Sequence, residues 1–180
     1  MPVDLRRVPL PDFGAPAEPP EIPPAEYEAR ARSLRRAVGT DWVAVYGDRE
    51  HTANLLFLSG FDPRFEEALL LFGPDDRRLL VVGNEGLIHA AVARLPVEVV
   101  LYQGFSLMGQ PRGEAPRLDA VLRDAGLAPG QRVGVAGWKY LEASETDDPA
   151  APAFVPAFVV DAIRRVAATD PVDVTAALMH

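Results

Sequence analysis

Three histidines, His51, His89 and His180, are the residues best placed by type for acid–base or metal chemistry near neutral pH. No HExxH or His-x-His spacing joins them, so a histidine-based metal site has no support. His180 ends the sequence, and His89 follows Ile88 in a short helical segment where a surface or half-buried position accounts for it. His51 follows Asp48-Arg49-Glu50 in a polar turn, where it is either a turn residue or one that faces a site. Ser59, in Leu58-Ser59-Gly60-Phe61, lacks the flanking glycine of a nucleophile elbow and reads as a turn residue. Gly83-Asn84-Glu85-Gly86 joins a strand to a helix and could aim backbone N–H groups at an anion. Glu85 would repel that anion, and no lysine follows. Gly134-Val135-Ala136-Gly137-Trp138-Lys139 is neither a Walker loop nor a dinucleotide fingerprint. The acidic pairs Glu66-Glu67, Asp75-Asp76 and Asp147-Asp148 stand apart from any histidine, unlike the carboxylate–histidine grouping of a two-metal site.

The chain that must position these groups has 180 residues, which suits one domain. It is 48% hydrophobic, enough for a sizeable core and too much for wholesale disorder. A net charge of −8 argues against nucleic acid and anionic membrane surfaces as partners, because both are bound through basic patches. No apolar run approaches the roughly 18 residues of a membrane span. With no cysteine there is neither a disulfide framework nor a thiolate metal site, which suits the cytoplasm.

Residues 1–24 carry eight prolines and are expected to form an extended arm, either mobile or strapped across the domain. Tyr27, Ala31, Leu34 and Val38 share one face at helical spacing and predict a helix from Ala25 to Ala37, with Glu26–Arg30 and Glu28–Arg32 pairs on its exposed side. Strands are expected at Asp41–Gly47, Ala68–Phe72, Arg78–Val82, Val97–Tyr102 and Arg132–Ala136. Gly73-Pro74-Asp75-Asp76 is a tight-turn signal, so the second and third strands should form an antiparallel hairpin. Further helices are expected at Gly86–Leu95, Pro116–Ala125 and Pro156–Ala167, and Val172–Thr175 is either a last strand or the start of a linker. Strands and helices alternate apart from the hairpin. The expected fold is therefore α/β: a mixed, partly antiparallel sheet of five or six strands with helices on both faces.

Taken in order, these pieces resemble a known domain. Asn54-Leu55-Leu56-Phe57-Leu58-Ser59-Gly60-Phe61 is followed by Asp62-Pro63-Arg64, the Ala68–Val82 hairpin, Arg132-Val133-Gly134-Val135 and Asp170-Pro171-Val172-Asp173-Val174-Thr175. Together they resemble the non-catalytic N-terminal domain of the creatinase, prolidase and aminopeptidase P family, over residues 25–178. The resemblance implies a ribonuclease-H-like α/β fold and a following C-terminal pita-bread catalytic domain, absent from this chain. In that domain two Asp, one His and two Glu hold two divalent metal ions (Mn, Co or Zn). No metal ligand is therefore expected here. The resemblance also implies a homodimer, contact with the pita-bread domain, and short peptides as substrates, often with proline second. The Pro-rich arm and the acidic stretch between Trp138 and Phe154 depart from the family pattern.

If the resemblance holds, His51 and Arg64 are the expected substrate- or partner-facing residues. Arg64 would either meet a substrate carboxylate or be tied to Glu66 or Glu67. Asn54, Gly60 and Phe61 are expected to serve turn geometry and packing. Two other readings compete: a stand-alone binding or dimerisation module, and a small α/β enzyme of unrelated chemistry.

Overall fold

Leu69-Leu70-Leu71-Phe72 and Leu79-Leu80-Val81-Val82 have no polar face, so the strands that contain them must be covered on both sides. A computed structural model describes residues 3, 6–9, 11, 14 and 21–179. Six strands form one sheet: β1 (Trp42–Gly47), β2 (Ala68–Phe72), β3 (Arg78–Val82), β4 (Glu98–Leu101), β5 (Val133–Ala136) and β6 (Val172–Asp173), in the order β4-β3-β2-β1-β5-β6. The β1–β2 and β2–β3 pairs are antiparallel, and the β3–β4, β1–β5 and β5–β6 pairs are parallel. The expected mixed sheet and hairpin are therefore present. Of the two alternatives for residues 172–175, a short strand forms, followed by a 3-10 turn at Thr175–Leu178.

Strand alternation sorts the core into two layers. Trp42, Ala44, Tyr46, Leu69, Leu71 and Val135 face one way, under α4 (Leu118–Ala125) and α5 (Ala157–Ala167). Val43, Val45, Leu70, Phe72, Leu80 and Val82 face the other way, under α1 (Pro24–Val38) and α2 (Ala53–Ser59). Each fully buried Leu or Val contributes about 1.5–3 kcal/mol of transfer free energy.

Helix α1 starts on Pro24, which needs no N–H at that position, and stops at Gly39 with φ 65°. Its surface pairs form as expected, at 3.0 Å for Arg30–Glu26 and 3.4 Å for Arg32–Glu28. The Pro-rich arm assigned to residues 1–24 lies mostly outside the described residues, as does His180.

One element was not foreseen and one expectation needs correction. The segment from Asn54 forms a helix: α2 buries Leu55 and Leu58, three apart, and leaves Leu56 and Phe57 half exposed. The helix expected over Gly86–Leu95 is shorter, α3 (Asn84–His89), followed by a 3-10 turn at Ala90–Val92. Ala90 and Leu95 are buried, but Leu87 and Ala91 face outward, because the helix ends before it can bring all four onto one face.

Candidate functional site

A cleft of about 510 Å³ opens beyond the carboxyl ends of β1 and β4, where open α/β sheets place ligands. Its polar lining includes Asp48, His51, Glu67 and Arg112, and Phe65 and Phe158 supply aromatic wall.

The loop after β1 is tightly built. Asp48 Oδ1 accepts the backbone N–H of Glu50 at 2.9 Å and of His51 at 2.8 Å, forming a local turn. The same carboxylate meets His51 Nδ1 at 2.9 Å. The other side of the imidazole is fixed by stacking on Trp138, with centroids 4.1 Å apart and planes 20° from parallel. Burial opposes ionisation of Asp48, but the bonds from the His51 ring and the two N–H groups outweigh it and hold the carboxyl below its ordinary value.

Tyr46, on β1, donates to Glu67 Oε1 at 3.4 Å, a long bond. Burial, with the charges of Glu67 and Asp48 beside it, pushes the Tyr46 phenol well up. Burial, reinforced by the Asp48 charge, also raises the Glu67 carboxyl, against the pull of the Tyr46 bond and of Arg112. Glu66 points the other way and is buried. It accepts the N–H of Gly86 at 2.9 Å and of Leu107 at 3.4 Å, and so ties α3 to the loop after β4 that forms the far wall. Arg112 braces that loop from outside through the Ser106 carbonyl at 2.9 Å.

An Asp–His pair of this kind can orient an imidazole for proton transfer. Here no nucleophile completes it: among the described residues the His51 ring is hydrogen-bonded to Asp48 alone. Ser59 is fully buried, and its Oγ donates to the Leu55 carbonyl at 2.7 Å and accepts the Phe61 N–H at 3.2 Å. The cleft is equipped to hold a small polar ligand. Among the described residues no group of three or more His, Asp or Glu is placed to hold a metal ion, so the pair of divalent ions implied for a C-terminal domain finds no fitting site here.

His51 lines this cleft, but Arg64 does not. Arg64 has φ 62°, bonds through its N–H to Asp62 Oδ1 at 2.9 Å, and lines a neighbouring depression of about 440 Å³ with Ile88, His89 and Val92. The two depressions share Phe65. Arg64 is not tied to Glu66 or Glu67; its ionic partner is Asp62 at 3.8 Å. Asn54 stands in the first turn of α2, and its amide donates to the Gly137 carbonyl at 2.7 Å. Gly60 caps α2 at φ 72°, and Phe61 is fully buried. Sequence reasoning missed Asp48, Tyr46, Glu67 and Trp138. The Asp48-x-x-His51 spacing was a usable signal for a side-chain-to-backbone turn. Trp138 gave none, because it reaches His51 only through the β1–β5 pairing.

No family model matches the chain, and no curated protein matches it by sequence. Solved structures match it by shape. The dipeptidase PepE from Mycobacterium ulcerans superposes with a TM-score of 0.58 at 15% identity, over 89% of this chain and 37% of that one. A proline dipeptidase structure from Streptococcus agalactiae gives 0.56 at 13% identity, over 87% of this chain and 98% of that one. The creatinase/prolidase N-terminal domain of an X-Pro dipeptidase from Streptococcus pyogenes gives 0.54 at 15%, over 86% and 97%. At these identities the likeness establishes the fold, which is that of the creatinase/prolidase N-terminal domain. The chain spans little more than a third of the Mycobacterium dipeptidase.

Proposed function

We propose that this chain acts as the non-catalytic N-terminal domain of a metallopeptidase of the Xaa-Pro dipeptidase or aminopeptidase P kind. The match to the Streptococcus pyogenes domain carries the proposal, because it covers 86% of this chain and 97% of that one. In this role the His51 cleft walls the approach of a short peptide, and Arg64 contacts the partner on the other side of Phe65.

The surface around the cleft supports a docking role. Phe65 is 61% exposed, Ile88 82% and Met108 88%, with Leu87 and Val92 half exposed nearby in sequence. Exposed side chains of this size mark a face that a partner covers. The partner we propose is the C-terminal pita-bread domain, within a homodimer, and the two divalent ions belong to that domain. A cysteine-free chain suits the reducing cytoplasm, where we place it. Among the described residues no helix is long and apolar enough to cross a membrane.

Reading the native coding sequence past the codon for His180 tests this. An open frame with two Asp, a His and two Glu in order supports the peptidase. A stop codon directly after His180 would instead leave a stand-alone module with this fold.

A further inference from the structure

The C-terminal half of α1 and the β2–β3 hairpin enclose a groove of about 360 Å³, on a part of the surface that shares no lining residue with the cleft. Arg32, Arg35, Arg36 and Arg78 line it over Ala31 and Phe72, and Asp76 is the one acid among the lining residues. We propose that this groove is a binding site for a compact multivalent oxyanion of the diphosphate kind.

The charge distribution is the first reason. The chain carries 26 acids against 18 bases, yet four arginines gather here around one carboxylate. Arg32 and Arg36 are i,i+4 neighbours of like charge, and Glu28 offsets only the first of them, at 3.4 Å. The macrodipole of α1 accounts for Arg35 and Arg36 in its last turn. It does not account for Arg78 on the opposite wall.

The availability of the donors is the second reason. Arg78 is held in place by two bonds to the Asp76 carboxylate, at 3.1 and 2.5 Å, with its side chain only 11% exposed. Arg35 has no side-chain hydrogen bond or ion pair among the described residues, and Arg36 has only its bond to Ser33 Oγ at 3.1 Å. One wall is therefore fixed; on the other Arg32 is paired with Glu28 at 3.4 Å, which leaves Arg35 and Arg36 to offer guanidinium forks that match phosphate oxygens in pairs. Asp76 and Glu28 offset two of the four guanidinium charges, so a multivalent anion matches the two that remain, and the volume suits a ligand at the small end of the small-molecule range.

Isothermal titration of the whole chain with sodium pyrophosphate, at constant ionic strength, tests the proposal. Saturable one-to-one binding is expected, weakened about tenfold by the paired substitution Arg35→Ala/Arg36→Ala and by added salt. Arg36 is exposed and Arg35 half-buried, and neither belongs to the buried core, so the fold should be retained, which circular dichroism checks. Arg165→Ala, an exposed arginine on α5, should bind like the wild type. Competition by citrate would support oxyanion chemistry shared with carboxylates. Absence of saturable heat, binding that survives the paired substitution, or equal weakening by Arg165→Ala would overturn the site.

Discussion

The His51 imidazole lies flat against the Trp138 indole at a centroid distance of 4.1 Å, and so joins the loop after β1 to the segment after β5. Asp48 closes the arrangement through His51 Nδ1 at 2.9 Å. His51 on the cleft wall is thus held by Asp48 and Trp138, and of the three only His51 stood out by residue type.

Ionised Asp48 should stabilise the folded chain, because its folded value lies below its ordinary one. The contribution is full above about pH 4 and is lost as pH falls through the depressed folded value. Asp48→Asn should therefore melt below wild type at pH 6, and the two melting curves should converge in strong acid. A constant gap across that range would count against an ionised Asp48.

Glu67 runs the opposite way. Its folded value is raised, first by burial, so its ionised form penalises the fold above that value. Glu67→Gln keeps an oxygen for the Tyr46 hydroxyl and removes the charge. It should raise Tm at pH 7, with the gain vanishing as pH falls below about 4. Thermal melts at both pH values decide this, and a loss of stability at pH 7 would contradict it.

Asn54→Ala should cost about 1–2 kcal/mol in denaturant unfolding, because it leaves the buried Gly137 carbonyl without its 2.7 Å donor. Asn54→Asp should fare no better, since a carboxylate cannot donate. Wild-type stability in both variants would mean that α2 is held to β5 by packing alone.

The strands were legible because buried runs such as Leu69–Phe72 leave no polar face, and the hairpin because Gly73-Pro74-Asp75-Asp76 permits little but a turn. Helix α2 was not. In this seven-residue helix the continuous apolar run Leu55-Leu56-Phe57-Leu58 hides the spacing of Leu55 and Leu58, and short apolar runs do not distinguish helix from strand. The separation of His51 from Arg64 was equally hidden. Thirteen residues of sequence placed them in one loop, but α2 stands between them and sends them to different depressions.

That separation makes the two residues distinguishable in a peptidase that carries this domain. His51→Ala should raise KM for a short peptide about tenfold with little change in kcat, as expected when uniform binding is lost. Arg64→Ala should leave both constants near wild type and instead weaken subunit association in sedimentation. The reverse pattern would place the substrate over Phe65 and Arg64.

In the proposed role this chain shapes a cleft and leaves hydrolysis to another domain. The direct measurement is an assay of the purified 180-residue chain against an Xaa-Pro dipeptide with added Mn²⁺. No turnover above the buffer rate is expected. Turnover that persists through repurification and disappears in His51→Ala would contradict it.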